Sequence, residues 1–131
     1  MTTFVVDPSA VLHLAGTGVE VAGTHKLLAP TLLRSQTLSA LHEAVQRDEI
    51  PADVARQRLT RIGRMPIRFL GDAVLRRRAW DLADQLGWAS TYDAEYVALT
   101  QLQADAFVTL DAELAHRVKR IVATASIDDL L

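Results

Sequence analysis

Aspartates stand at or just beyond the ends of two apolar runs in this chain. Asp7 follows Phe4-Val5-Val6, and Asp111 follows Ala106-Phe107-Val108-Thr109-Leu110. A third, Asp93, opens a stretch of helical character. Residues just past the ends of parallel strands gather on one edge of an open sheet, where such folds place ligand and chemistry. Three carboxylates brought together there repel: at about 5 Å and an effective dielectric near 20, each pair costs ~3 kcal/mol. A cation relieves that repulsion. Oxygen-only ligands select hard metals, here Mg2+ or Mn2+, and an acidic site holding one suits hydrolysis of a phosphodiester. Taken singly, each aspartate reads as a helix N-cap. Their coincidence argues for a site.

Elements that would position these acids follow from the pattern. Thr3 to Val6 predicts a strand, with Asp7 capping and Pro8 opening the helix behind it. Gly16-Thr17-Gly18 ends that helix, and Leu27-Leu28-Ala29 predicts a second strand before Pro30. A helix is expected from Thr31 to about Arg47, with Leu32, Leu33, Leu38, Leu41 and Val45 on its apolar face. Pro51 opens another, ended by Gly63 and Pro66, and Ile67 to Leu70 predicts a short strand. Asp72 to Gly87 and Tyr92 to about Gln103 read as helices, the latter offering Tyr96, Val97, Leu99 and Leu102 for burial. Ala106 to Leu110 reads as a core strand, a final long helix is expected from Asp111, and Ile121-Val122-Ala123 as an edge strand. This alternation predicts an α/β fold, a three-layer α/β/α sandwich with a largely parallel central sheet, as one domain over residues 1–131.

Composition narrows the function classes. The chain has 131 residues and no cysteine, which excludes disulfides and thiolate zinc sites. No basic segment precedes the first apolar run, Asp7 interrupts it, and no run approaches the length of a membrane span, so a cytoplasmic protein is expected. His13, His25, His42 and His116 lack the close helical pairing of zinc hydrolases. Gly16, Gly18 and Gly23 miss the dinucleotide-binding spacing, because Val21 stands where the third glycine belongs. Trp80 and Trp88 are too few for a stacking platform and read as core or interface residues. Between Arg56 and Arg78 lie eight arginines against one acid, Asp72, although the chain's net charge is −2. Such a segment reads either as solvated helix faces or as a polyanion-binding rim.

Four blocks together resemble the PIN-domain ribonucleases, and most of all the VapC-type toxins of toxin–antitoxin systems. They are Phe4-Val5-Val6-Asp7-Pro8-Ser9-Ala10, Pro30-Thr31-Leu32-Leu33-Arg34-Ser35-Gln36, Tyr92-Asp93-Ala94-Glu95-Tyr96-Val97-Ala98-Leu99 and Val108-Thr109-Leu110-Asp111. The resemblance implies an RNA-cleaving domain whose acids bind Mg2+ or Mn2+, with Asp7, Asp93 and Asp111 as metal ligands. Thr109 matches a frequent hydroxyl residue before the last acid, and Ser9 supports the first helical turn. A homodimer is implied, as is a small antitoxin lying across a helical groove with a basic side chain near the acids. Arg34, Arg61, Arg64 and Arg68 are the candidates for contacting RNA or antitoxin.

One position departs from the family pattern. A glutamate usually falls six residues after the proline of the second block, and here it is Gln36. Glutamine keeps the carbonyl oxygen and loses the charge. It can position a metal-bound water but holds a cation weakly. Glu43 cannot replace it, being about 10.5 Å further along the helix. Two readings stay open: a nuclease with one divalent ion, with Gln36 counted among the catalytic residues beside the three aspartates, or an inactive domain kept as an RNA- or protein-binding module.

Overall fold

The computed structural model describes residues 1–131. Its centre is a five-stranded, wholly parallel sheet of β1 (Thr3–Val6), β2 (Lys26–Pro30), β3 (Ile67–Leu70), β4 (Ala106–Val108) and β5 (Thr124–Ala125), in spatial order β3-β2-β1-β4-β5. Strand β1 is central because both its faces can be buried: Phe4, Val5 and Val6 are all core residues. Its register sets Val5 against Leu28 on one side and Phe107 on the other. Continuously apolar strands of this kind are what a parallel sheet covered on both faces requires.

The helices are α1 (Pro8–Thr17), α2 (Leu32–Gln46), α3 (Ala52–Arg64), α4 (Ala73–Leu86), α5 (Tyr92–Gln103) and α6 (Ala112–Val118). Right-handed crossovers assign the helices that lead outward from β1 toward β3 to one face and those that lead toward β5 to the other. Contacts agree: α1, α2 and α3 pack on one another, α4 packs on α5, and α5 lies over β1, β2 and β4. The result is the expected α/β/α arrangement.

Chain direction reverses across the sheet between β1 and β4. The chain leaves β1 toward β2, yet its later neighbour β4 lies on the other side. Beyond the carboxyl ends of these two strands is the crevice where open α/β sheets bind ligands. Asp7 follows β1, and Thr109 to Asp111 follow β4. Helix α5 must then bring the chain back to the sheet's amino edge, where β4 starts, so its first residues, including Asp93, belong at the carboxyl edge.

Five expectations need correction, the first being that β4 ends at Val108 and not at Leu110. Leu38 is 55% exposed; the buried stripe of α2 is Leu33, Thr37 and Leu41, with the Thr37 hydroxyl satisfied by the Leu33 carbonyl at 2.9 Å. Leu102 is likewise exposed, beyond the face that α5 lays on the sheet. The last helix has only seven residues. The edge strand is Thr124–Ala125, not residues 121–123, because Ile121 and Val122 wind back to donate to the Val118 carbonyl and pairing resumes only at Ala123, whose carbonyl takes the Phe107 N–H.

Candidate active site

Asp7 is the best-fixed acid of the crevice. It is 6% exposed, and its Oδ1 accepts from the Ala10 N–H at 3.0 Å and from the Ser9 hydroxyl at 2.6 Å. Its Oδ2 accepts from the Thr109 hydroxyl at 2.5 Å. Pro8 at the first helical position loses no hydrogen bond by lacking an N–H, and Asp7 takes the usual cap bond two residues further on, from Ala10. One carboxylate thus closes α1 and joins β1 to β4. Strand β4 stops at Val108 for the same reason: Thr109 turns its hydroxyl to Asp7, and the Leu110 N–H leaves the ladder for the Ser9 oxygen at 2.9 Å. The Asp111 N–H donates to Thr109 Oγ1 at 3.1 Å, and Asp111 Oδ1 caps α6 through Leu114 N–H at 3.1 Å. Ser9, Thr109, Asp7 and Asp111 form one connected network.

Asp93 approaches from α5. It sits one residue inside the helix, where the macrodipole favours negative charge, and has no capping bond of its own. One side is open to solvent. Even so, desolvation raises its pKa above the ordinary value of 3.8; Arg117 opposes that shift, while the charges of Asp7 and Asp111 reinforce it. Asp93 therefore feels the other two acids, with Arg117 as its partly compensating positive charge.

Tyr96, one turn along α5, is 1% exposed, and its hydroxyl donates to Gln36 Oε1 at 2.7 Å. Burial, and then the negative charges of Asp7, Glu95 and Asp93, push its phenol well above the ordinary value. It remains a proton donor at every physiological pH. Gln36 is thereby held with one carbonyl lone pair occupied and its amide N–H groups free.

Chemically this donor set fits a hard divalent cation. It is all oxygen, and Asp93 is a partly desolvated carboxylate that also feels the charges of Asp7 and Asp111. The carboxylates are open as placed: no group of three or more His, Cys, Asp or Glu side chains lies close enough to hold a metal ion. A closed coordination sphere requires them to draw together.

Comparison with known proteins identifies the family. No family model matches the chain. Among curated proteins, the VapC ribonuclease Mb0985 of Mycobacterium bovis and ribonuclease VapC9 of Mycobacterium tuberculosis are each 32% identical over 114 residues, 85% of this chain and 87% of theirs. The chain belongs to the VapC ribonuclease family. Two solved structures share the fold. Protein PAE2754 of Pyrobaculum aerophilum has a TM-score of 0.73 at 21% identity, covering 98% of this chain and 93% of its own. VapBC2 of Rickettsia felis, bound to a promoter DNA fragment, has a TM-score of 0.64 at 9% identity, covering 95% and 98%.

In this member of the VapC family the candidate arginines are spread over the fold and do not line one rim at the acidic edge. Arg61 Nη1 donates to the Ala15 carbonyl at 2.8 Å, near the far end of α1. Eight residues of helix separate Ala15 from Asp7, roughly 12 Å of rise. Arg64 lines a hollow at that far end with Arg61, Val19 and Met65. Arg68 lies on edge strand β3. Only Arg34, in the first turn of α2, starts from the acidic edge, where its guanidinium lies 4.2 Å from the centre of the Phe69 ring. Sequence reasoning did not single out Arg117 or pair Tyr96 with Gln36, and it set Trp88 aside as a core or interface residue. The i, i+3 spacing of Asp93 and Tyr96 was a usable signal, since it puts both on one helical face. Nothing local marks Arg117. No helix is long and apolar enough to cross a membrane.

Proposed function

We propose that this chain is a divalent-cation-dependent endoribonuclease, the toxin of a toxin–antitoxin pair, cutting RNA in the cytoplasm at the Asp7, Asp93 and Asp111 edge. The observation that carries the reading is the placement of Asp93 beside Asp7 and Asp111 at the point where the sheet reverses direction, its pKa raised first by burial and then, against the pull of Arg117, by those two charges. An acid so placed has a use for a cation and no local bond that explains it otherwise. Mg2+ or Mn2+ would be held by the three aspartates and would supply charge neutralisation and water activation. The chain's own residues do the rest. Ser9 and Thr109 fix the orientation of Asp7, Tyr96 holds Gln36 against the site, and Arg117 provides positive charge for a phosphate beside Asp93. The reading includes a small antitoxin partner and a homodimer, for which the exposed Val74 and Trp80 of α4 provide apolar surface.

A second reading, a binding module without catalysis, is favoured by the uncharged Gln36 and by the open carboxylates. RNA cleavage with manganese by wild type, Asp93→Asn and Gln36→Glu separates the two. Cleavage by wild type that disappears in Asp93→Asn supports the ribonuclease. Silence in wild type with cleavage gained in Gln36→Glu identifies a domain that has lost its chemistry.

A further inference from the structure

Beside the acidic edge is a hollow of about 440 Å3, within the usual range of small-ligand sites. Asp93 and Gln36 belong to its wall, so it opens directly onto the proposed reaction site. The rest of its lining is of a different character, with Trp88, Tyr92, Ser90 and Arg117 set among the small residues Gly87 and Ala89. The Arg117 guanidinium lies over the Trp88 ring, 5.4 Å from its centre. Tyr92, at the start of α5, is 56% exposed, whereas Ala94 and Tyr96 further along the helix are core residues. Ser90 Oγ accepts from the Tyr92 N–H at 3.2 Å, which ties the start of α5 to the loop carrying Trp88. Gln36 spends its carbonyl on Tyr96 and keeps its two amide hydrogens for whatever enters.

We infer that this hollow is a base-binding subsite that seats one unpaired nucleobase of the RNA, next to the phosphate to be cut, between the Trp88–Arg117 stack and Tyr92. The inference rests on the ribonuclease reading for the identity of its ligand. Indole, phenol and guanidinium are the planar groups on which splayed-out bases stack. The amide hydrogens of Gln36 and the Ser90 oxygen can meet acceptors and donors on the base edge. A duplex keeps its bases stacked inside, so the subsite selects single-stranded or looped RNA. The same feature gives Gln36 a use that a glutamate could not serve, because a carboxylate has no hydrogen to donate at neutral pH.

Tryptophan fluorescence tests this directly. Trp80 is the second indole of the chain, 65% exposed on α4 and outside the hollow, so the Trp80→Phe protein reports Trp88 alone. It is titrated, in chelator and without metal, with single-stranded RNA tetramers rich in each of the four bases; cleavage of the same tetramers with manganese is measured in parallel. Saturable quenching that depends on the base, half-saturation moved about tenfold or more by Tyr92→Ala and restored by Tyr92→Phe, is the expected result. Cleavage without quenching, or quenching indifferent to Tyr92, overturns the subsite and leaves the ribonuclease standing. Quenching without cleavage keeps the subsite and removes the catalysis. Neither signal overturns both.

Discussion

Helix α1 has an acid at one end and an arginine at the other, and the two ends do opposite things. At its amino end Asp7 closes the helix while sharing a network with Thr109, Ser9 and Asp111, and its charge is felt by Asp93. At its carboxyl end Arg61 satisfies the Ala15 carbonyl, and Gly18, in the left-handed region at φ 71°, turns its N–H back to Leu14. The first end gathers like charges that want a counter-ion. The second spends a cation on completing the fold. Clustering along the sequence is therefore a poor guide to clustering in space: the arginine-rich segment is compact in sequence, yet its members are spread over α3, edge strand β3 and α4.

The contrast is broken or sharpened by substitutions at each end. The largest effect is expected at Asp93→Asn, which should lower RNA cleavage by about 100-fold or more while the protein stays folded. Thermal unfolding should rise with added manganese in wild type and not in this variant; a shift of equal size in both would remove Asp93 from the ligand set. Next is Thr109→Val. It strips a hydroxyl from a buried carboxylate and should cost about 1–3 kcal/mol in denaturant unfolding, with roughly a tenfold fall in cleavage. Arg61→Ala should cost about 1 kcal/mol and leave RNA affinity and its salt slope unchanged, whereas Arg117→Ala should reduce that slope. A large loss of RNA affinity in Arg61→Ala would show that the far end binds substrate after all.

The smallest effect is on the pH dependence of stability without metal. Because the folded-state pKa of Asp93 is raised, the folded protein takes up its proton before the unfolded chain does. Stability from this group is therefore present at low pH and is lost as pH rises from its ordinary 3.8 through the raised value. Asp93→Asn should flatten that slope and stabilise the protein slightly at neutral pH, by less than about 1 kcal/mol after solvent screening. A steeper slope in the variant would contradict the burial and neighbouring charge that raise Asp93.

Much of this edge was legible before any coordinates. Phe4-Val5-Val6-Asp7-Pro8 states strand, cap and helix start within five residues, and each is locally determined. Likewise Val108 to Asp111 announces the end of a strand, although the point at which it leaves the ladder depends on Asp7, a hundred residues earlier. What sequence could not give is pairwise and distant. Tyr96 and Gln36 meet across sixty positions. Leu38 and Leu33 differ in exposure because which side of α2 is buried is decided by the sheet and helices it packs against, not by the leucines themselves. The edge strand shifted because Lys119 and Arg120 continue a turn whose end is set by hydrogen bonds to the Val118 carbonyl.

The three aspartates proposed for the site differ in one respect with a consequence for inheritance. Asp7 and Asp111 each close a helix, so changing either one damages folding as well as chemistry. Asp93 closes nothing. A one-atom exchange there should yield a durable, correctly shaped and silent copy. Such a copy would still occupy any partner that recognises the folded surface. In a cell carrying both versions, the silent one would act as a decoy, competing for the inhibitor and leaving more of its active sibling unrestrained.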